Sequence, residues 1–229
     1  MKTSNKNKVM KIKAIFKDLG EKILDFILPL PPSVHKMSRM SPAEFLEEAS
    51  SSEFCQYANT ILNYRHKLVR DLIWEIKYRG NSRFVRLASV IIYDHLIEIL
   101  SEESEWSNFK NPILIPMSIS KKRLVERGFN QCELLSEGVH NLDKGQNFSY
   151  KPKLLLKIRH TESQTKTHGR SERLENLKDC FEVKNKAEVL GKNIILLDDV
   201  VTTGATVTEA KKALKKAGAK RVLVVALAH

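Results

Sequence analysis

The chain is poor in cysteine, and this scarcity excludes two classes of protein. Its 229 residues include three cysteines, Cys55, Cys132 and Cys180, which are widely separated along the sequence. Scattered single cysteines provide neither a disulfide framework nor the paired Cys-x-x-Cys spacing of a zinc-binding module. We therefore expect neither a disulfide-stabilised extracellular fold nor a zinc site.

Long apolar runs and two common nucleotide-binding fingerprints are also missing. No stretch approaches the ~18 consecutive apolar residues that cross a bilayer, and the apolar piece at residues 23–30 is short, contains Asp25 and runs into prolines. Neither Gly-x-x-x-x-Gly-Lys-Ser/Thr nor Gly-x-Gly-x-x-Gly occurs, which disfavours a nucleoside-triphosphatase loop and a dinucleotide-binding domain. We expect a cytoplasmic protein without integral membrane association.

One segment of the sequence has a clear strand, turn and helix pattern. Residues 193–206 contain an apolar run, two adjacent carboxylates and a turn of small and hydroxyl-bearing residues. The pattern predicts a buried strand that ends at Asp198, a helix from Thr206 that stops at Gly218, and a second strand over residues 221–228. This is a βαβ crossover, and in open α/β sheets ligands bind beyond the carboxyl ends of the strands.

The residue types of this turn indicate an anion site beside two acidic groups. Backbone N–H groups, three hydroxyls and the positive end of a helix dipole favour a phosphate at residues 202–206. Asp198 and Asp199 would repel a bare phosphate, so we infer that the ligand also carries hydroxyl groups or a divalent cation. A sugar diol and Mg²⁺ both meet this requirement.

The same segment resembles the signature of type I phosphoribosyltransferases. In that family the paired acidic residues hold the ribose of 5-phosphoribosyl 1-diphosphate (PRPP), and the loop after them holds its 5-phosphate. The resemblance implies an α/β fold with a doubly wound, mostly parallel sheet flanked by helices, and Mg²⁺ as cofactor near the catalytic pair Asp198 and Asp199. It implies that ribose and 5-phosphate are bound by Asp198, Asp199, Val200, Val201, Thr202, Thr203, Gly204, Ala205 and Thr206.

Further motifs narrow the resemblance to the ComF-like branch, the competence protein F family. They are Lys-Tyr-Arg-Gly at residues 77–80, Arg-Gly-Phe-Asn-Gln at 127–131, Gln-Thr at 164–165, and Arg-Leu-Glu-Asn at 173–176 followed by Phe181. Many members of this family begin with a cysteine-rich zinc module, which this chain lacks. We predict a disordered basic tail over residues 1–11, a helical N-terminal extension over 12–64 and a phosphoribosyltransferase domain over 65–229.

A basic stretch follows a short apolar strand predicted at residues 113–115 and ended by Pro116. Clustered cations stabilise charge on a departing pyrophosphate, and the resemblance places the pyrophosphate side here. The alternative, a basic run that is merely solvated or contacts nucleic acid, stays open. The candidate residues are Met117, Ser118, Lys121, Arg123 and Arg127.

The polar stretch at residues 159–173 is predicted to be a mobile lid. In the family a flexible loop closes over the diphosphate and excludes water. The alternative is an uninvolved linker. The candidate lid residues are Gln164, Thr165, Arg170 and Arg173.

The net charge of +12 favours either a phosphorylated substrate or a nucleic acid as partner. We expect a phosphoribosyltransferase that binds PRPP with Mg²⁺, transfers the phosphoribosyl group to an unidentified acceptor, and forms a homodimer. The alternative is a non-catalytic competence-type accessory protein that binds single-stranded DNA or a partner protein, although no series of aromatic residues is evident near the basic runs. A third possibility is that PRPP or a nucleotide binds as a regulatory effector and is not turned over.

Overall fold

The computed structural model describes residues 31–49, 51, 54–160 and 178–229, and at residues 104–106 it describes the backbone alone. By its contacts the chain divides into two compact units, Met1–Arg39 and Met40–His229. Helix α1 (Pro32–Met37) belongs to the first unit.

The second unit is built around a parallel sheet of five strands with a separate antiparallel hairpin. The strands are β1 (Asn59–Leu62), β2 (Ile113–Pro116), β3 (Ser149–Tyr150), β4 (Leu155–Lys157), β5 (Phe181–Val183), β6 (Asn193–Val200) and β7 (Arg221–Ala228). The sheet order is β1-β7-β6-β2-β3, with every neighbouring pair parallel, while β4 and β5 form the hairpin. The central strand β6 is an aliphatic run buried almost throughout, which is typical of a parallel strand covered on both faces.

Helices flank this sheet. They are α2 (Pro42–Glu48), α3 (Lys67–Trp74), α4 (Ser82–Ser107), α5 (Lys121–Arg127), α6 (Gln131–Leu142) and α7 (Ala205–Lys216). Helix α3 continues directly into a π-helical turn at Glu75–Arg79 that ends at Gly80 in the left-handed conformation. Helix α2 begins with a capping box, because Ser41 Oγ accepts from the Glu44 N–H and Glu44 Oε2 accepts from the Ser41 N–H. None of the described helices is long and apolar enough to cross a membrane.

The predicted βαβ crossover and parallel sheet are confirmed. Helix α7 connects β6 to β7, and these strands pair in parallel from Asn193 and Arg221 to Val200 and Ala228. The prediction that the strand ends at Asp198 is wrong, because β6 continues to Val200. Its backbone keeps pairing with β7 at Asp198 and Ala226. The acidic pair therefore lies within a strand, which holds both side chains more rigidly than a loop would.

Strand β1 lies inside the region predicted to be a helical extension. It pairs in parallel with β7 and forms one edge of the main sheet. Four residues with the sequence Asn-Thr-Ile-Leu are too few to show a strand pattern. The apolar spacing that suggested helices falls largely on residues 12–27, which lie outside the described part of the chain. The domain boundaries stay predictions.

Candidate functional site

The two predicted loops meet at the carboxyl ends of neighbouring strands. Strands β2 and β6 pair in register, with Pro116 opposite Leu197. One residue later the Met117 N–H donates to the Leu197 carbonyl at 2.7 Å. The segment that follows β2 is thus fixed beside the acidic pair, at the point of the sheet where the strand order reverses.

The acidic pair is buried. Asp198 and Asp199 are 7% and 6% exposed, respectively. The Asp199 N–H donates to Asp198 Oδ1 at 2.9 Å, whereas Asp199 Oδ2 finds no hydrogen-bond partner within the described residues. Burial, and then the charge of Asp199, raise the pKa of Asp198 well above its usual range. The pair is thus incompletely satisfied and suits a ligand that brings hydroxyl donors or positive charge.

A cysteine that the sequence did not single out contacts this pair. Cys132 Sγ lies 3.4 Å from Asp198 Oδ1 and 3.8 Å from Asp199 Oδ1. Burial, and then the charges of the two carboxylates, raise the pKa of the Cys132 thiol well above its ordinary value, so it stays a neutral donor. The available signal was its place one residue after the Arg-Gly-Phe-Asn-Gln motif.

The motif itself positions this thiol. Asn130 caps helix α6 by accepting from the Cys132 N–H at 3.0 Å. The Asn130 side-chain amide also donates to the Met117 carbonyl at 3.0 Å. One buried asparagine therefore joins the loop after β2 to the start of α6, which explains why the sequence places an Asn at this point.

The predicted phosphate loop connects β6 to the N-terminus of α7. Gly204 caps the helix with φ of 71°, in the left-handed region that favours glycine. A Cβ added at Gly204 would lie 2.2 Å from Tyr57 Cγ, so the Tyr57 ring packs directly on this backbone. Thr202 and Thr203 are exposed. The loop thus presents hydroxyls and the unpaired N–H groups of a helix terminus.

The residues predicted for the pyrophosphate side form a short loop and then helix α5. Ser120 caps that helix by accepting from the Arg123 N–H. Lys121 is exposed and Arg123 is half-buried. Arg127 Nη1 instead donates to Gln131 Oε1 at 3.1 Å, and the guanidinium lies 5.3 Å from the centre of the Tyr78 ring. Arg127 therefore has partners outside the acidic pair.

The hairpin β4–β5 adds a lysine that sequence reasoning missed. The Lys157 N–H donates to Ser118 Oγ at 3.1 Å, and the ammonium lies 5.4 Å from the centre of the Phe181 ring. Burial lowers the pKa of Lys157 and the charge of Arg123 acts in the same direction, while Cys180 and Asp198 oppose them. The hairpin thus brings a partly desolvated cation into the electrostatic environment of Asp198. A lysine at the end of an apolar strand gives no such signal in the sequence.

The predicted lid residues Gln164, Thr165, Arg170 and Arg173 lie outside the described part of the chain. At the near end of that segment, Ser120 Oγ and His160 Nδ1 are 2.8 Å apart. The described chain resumes at Lys178 and continues into β5. The role of the lid stays a prediction.

Comparison with known proteins identifies the family. A family model described as phosphoribosyl transferase domain matches residues 148–229. Competence protein ComFC of Bacillus subtilis is 32% identical over 202 residues, which cover 86% of this chain and 75% of that protein. Competence protein F of Haemophilus influenzae is 32% identical over 117 residues, 51% of this chain and 49% of that protein. DNA utilization protein YhgH of Shigella flexneri is 31% identical over 167 residues, 72% of this chain and 68% of that protein.

The family model covers the segment that contains β6, α7 and β7, and it agrees with the observed parallel α/β fold. The match to ComFC covers 86% of the chain, so its span includes the motifs at residues 77–80 and 127–131. The chain therefore belongs to the ComF-like family of competence proteins and has the type I phosphoribosyltransferase fold.

Proposed function

We propose that this protein binds PRPP with Mg²⁺ at the acidic pair and transfers the phosphoribosyl group to an acceptor, releasing pyrophosphate. The observation that carries the proposal is the juxtaposition of two buried carboxylates with a glycine-capped helix N-terminus five residues further along the chain. Few ligands require both. PRPP does, because its ribose hydroxyls donate hydrogen bonds and its 5-phosphate is an anion.

Each end of the ligand has a matching group in the chain. Hydroxyl groups of the ribose would donate to Asp198 and Asp199, and the 5-phosphate would accept from the N–H groups at the start of α7. Carboxylate oxygens are ligands that Mg²⁺ prefers, and the unsatisfied Asp199 Oδ2 fits a cation or a hydroxyl donor. When bound, Mg²⁺ supplies positive charge that holds the diphosphate and stabilises it as it leaves.

The transfer step breaks the bond between the anomeric carbon and the pyrophosphate oxygen. The electron pair leaves with pyrophosphate, and a lone pair of the acceptor forms the new bond to carbon. Lys121 and Arg123 offer positive charge for the leaving group, while the acidic pair stabilises the positive charge that develops on the ribose. The acceptor class is not defined by these groups.

Removing Mg²⁺ should weaken PRPP binding strongly. The diphosphate would then face two buried carboxylates without an intervening cation, and we expect the affinity measured by titration calorimetry to fall at least tenfold, or about 1.4 kcal/mol. Chelation with EDTA followed by readdition of Mg²⁺ provides the control. Absence of PRPP binding both with and without Mg²⁺ would overturn the proposal. PRPP binding without pyrophosphate release in the presence of any nucleophile would favour an effector role.

A second candidate function, binding of single-stranded nucleic acid, is supported by an exposed aromatic-cationic patch. The patch consists of Trp74, Lys77, Tyr78, Arg79 and Arg127. The two aromatic side chains are 48% and 54% exposed, with ring centres 5.5 Å apart. Cationic groups lie 5.2 to 6.0 Å from the centres of these rings. Aromatic rings with adjacent cations are the elements that bind unpaired bases and their phosphates.

This patch differs from the sequence expectation that aromatic residues do not accompany the basic runs. Trp74 and Tyr78 are four residues apart across the junction of α3 and its π-helical turn, so their rings meet. Arg127 reaches them from the end of α5. Only the contribution of Arg127 depends on a distant segment, because the other four residues lie within residues 74–79.

Alanine substitution of Trp74 and Tyr78 together should weaken binding of a fluorescent oligodeoxythymidine strand. Loss of stacking costs about 1–3 kcal/mol per base, so the expected effect is at least tenfold in fluorescence anisotropy titrations at fixed salt. Phe54→Ala is the matched control, because Phe54 is 90% exposed and lies outside the patch. Equal affinity of the double variant and the control would reject the second candidate, and Asp198→Asn should leave strand binding unchanged.

A further inference from the structure

The thiol of Cys132 and the acidic pair form a compact buried cluster. One ligand atom from each of Cys132, Asp198 and Asp199 lies within 4.8 Å of the others, and all three residues are buried. The three side chains come from two elements, helix α6 and strand β6. Carboxylates alone favour hard cations such as Mg²⁺, whereas a cysteine sulfur in the ligand set favours softer cations.

The distances within the cluster match those of a metal centre. In a tetrahedral zinc site with Zn–S of about 2.3 Å and Zn–O of about 2.0–2.2 Å, a sulfur and an oxygen ligand lie about 3.6 Å apart. The Cys132 Sγ distances of 3.4 Å to Asp198 Oδ1 and 3.8 Å to Asp199 Oδ1 bracket this value. The side chains are thus already close to the spacing that a shared cation needs.

A second observation also points to a cation. Asp199 is only 6% exposed, yet no described residue donates a hydrogen bond to its Oδ2 atom. A buried carboxylate oxygen without a donor is costly, because it has lost water and gained nothing in exchange. A cation shared by Cys132 and the two aspartates would add positive charge beside the incompletely satisfied Asp199 carboxylate and offset the repulsion between the two carboxylates.

The ligand set selects the class of cation. Mg²⁺ takes oxygen ligands and water in octahedral geometry, whereas a thiolate favours Zn²⁺ and chemically similar ions such as Cd²⁺. Three protein ligands leave the fourth tetrahedral position for water. Binding requires the Cys132 thiol to lose its proton to solvent, since the thiolate is the ligand.

We propose that Cys132, Asp198 and Asp199 form a site for a thiophilic divalent cation of the Zn²⁺ class. The bound cation occupies the oxygen atoms that would otherwise accept hydrogen bonds from the ribose. Zinc and PRPP therefore exclude each other, a consequence that rests on the proposed function, whereas the metal site itself does not. The cation acts as an inhibitor, distinct from the Mg²⁺ that accompanies the substrate.

Cadmium is the probe for this site, because a cadmium thiolate has an ultraviolet charge-transfer band. We expect the metal-free full-length protein with Cys55→Ala and Cys180→Ala to develop this band with one equivalent of Cd²⁺. In the same background, Cys132→Ala should remove the band. Asp199→Asn in that background should lower the affinity for Cd²⁺ at least tenfold. A band that Asp199→Asn leaves unchanged would mean simple thiol binding, and absence of a band would also overturn the proposal.

The buried cysteines Cys55 and Cys180 are part of the core, so their substitution can disturb folding. The same titration in the otherwise native protein covers this case, where Cys132→Ala should remove one equivalent of bound Cd²⁺ measured by equilibrium dialysis. An unchanged stoichiometry would reject the site.

Competition separates the metal site from the proposed function. One equivalent of Cd²⁺ should weaken PRPP binding at least tenfold in the native protein but not in Cys132→Ala. If Cd²⁺ binds at Cys132 while PRPP binds under no condition, the proposed function fails and the metal site stands. If PRPP binds with Mg²⁺ and Cd²⁺ has no effect on it, the exclusion fails.

Discussion

Replacing Asp198 with asparagine should stabilise the ligand-free protein while it weakens PRPP binding. Asp198 is buried beside a second carboxylate, and burial followed by the charge of Asp199 raises its pKa. Asparagine removes the charge and keeps the shape and one oxygen. We expect the free energy of unfolding to rise by about 1 kcal/mol or more at pH 7, or roughly 2–4 °C in Tm for a chain of this size.

The stability gain should depend on pH in a defined direction. Because the pKa of Asp198 is raised on folding, the folded protein holds a proton that the unfolded chain releases at a pKa of about 3.9. The free energy of unfolding therefore falls as pH rises from the unfolded-state pKa to the raised folded-state pKa of Asp198. Above the folded-state pKa the loss is complete. The variant lacks the group, so its advantage over the wild type should be absent in acid and largest above the raised pKa.

Asp143→Asn is the matched control for burial of a carboxylate. Asp143 is also buried, but Asn147 Nδ2 donates to its Oδ1 at 2.7 Å and the Phe148 N–H donates to its Oδ2 at 3.3 Å. Its substitution should therefore lower the free energy of unfolding, by about 1–3 kcal/mol. It follows α6 at the end opposite Cys132, about 16 Å along the helix, so PRPP affinity should not change.

The loss of affinity in Asp198→Asn follows from the same chemistry. A hydrogen bond to a charged group contributes about 1.5–3 kcal/mol, so removing the charge should lower the affinity for PRPP at least tenfold. Urea unfolding and calorimetry on one preparation measure both effects. A variant that is less stable than the wild type, or that binds PRPP equally well, would contradict the account of the acidic pair.

Replacing Gly204 with alanine should damage both stability and phosphate binding. The new Cβ would overlap the Tyr57 ring at 2.2 Å, and the residue would be held at φ of 71°. The left-handed conformation costs an alanine about 1–2 kcal/mol, and overpacking adds about 1–3 kcal/mol. The loop must move to relieve the overlap, so we expect PRPP affinity to fall at least tenfold in the same calorimetric assay.

Two comparisons isolate the contribution of Tyr57. Gly191 has φ of 69° and nothing within 4 Å of an added Cβ, so Gly191→Ala pays the conformational cost alone. Its Tm should fall less than that of Gly204→Ala. Combining Gly204→Ala with Tyr57→Ala should remove the overlap. Tyr57→Ala should therefore lower Tm less in the Gly204→Ala variant than in the wild type. Equal Tm values for Gly204→Ala and Gly191→Ala would show that Tyr57 does not constrain the loop.

Local patterns in the sequence were sufficient to predict the centre of the fold. An aliphatic strand, two carboxylates, a glycine turn and an amphipathic helix follow one another without interruption, and each has a strong local preference. The structure confirms the resulting β6–α7–β7 unit and places the loop after Pro116 beside it. Handedness and strand adjacency require only general rules once the unit is known.

Contacts between distant segments could not be predicted in the same way. Cys132 meets the acidic pair across 66 residues, and Tyr57 reaches Gly204 from before the first strand of the sheet. The expectation of no zinc site used cysteine spacing alone and stays a prediction, which the cation site proposed at Cys132 would contradict. Lys157 was missed for the same reason, since its partners lie on other elements, whereas in the aromatic-cationic patch only Arg127 comes from a distant segment.

The most direct test of the central claim is a crystal structure of the protein with PRPP and Mg²⁺. We predict ribose hydroxyls within hydrogen-bond distance of the Asp198 and Asp199 carboxylates and the 5-phosphate on the N–H groups at Gly204 to Thr206. Density for PRPP elsewhere, for example on the aromatic-cationic patch with the acidic pair empty, would contradict the account.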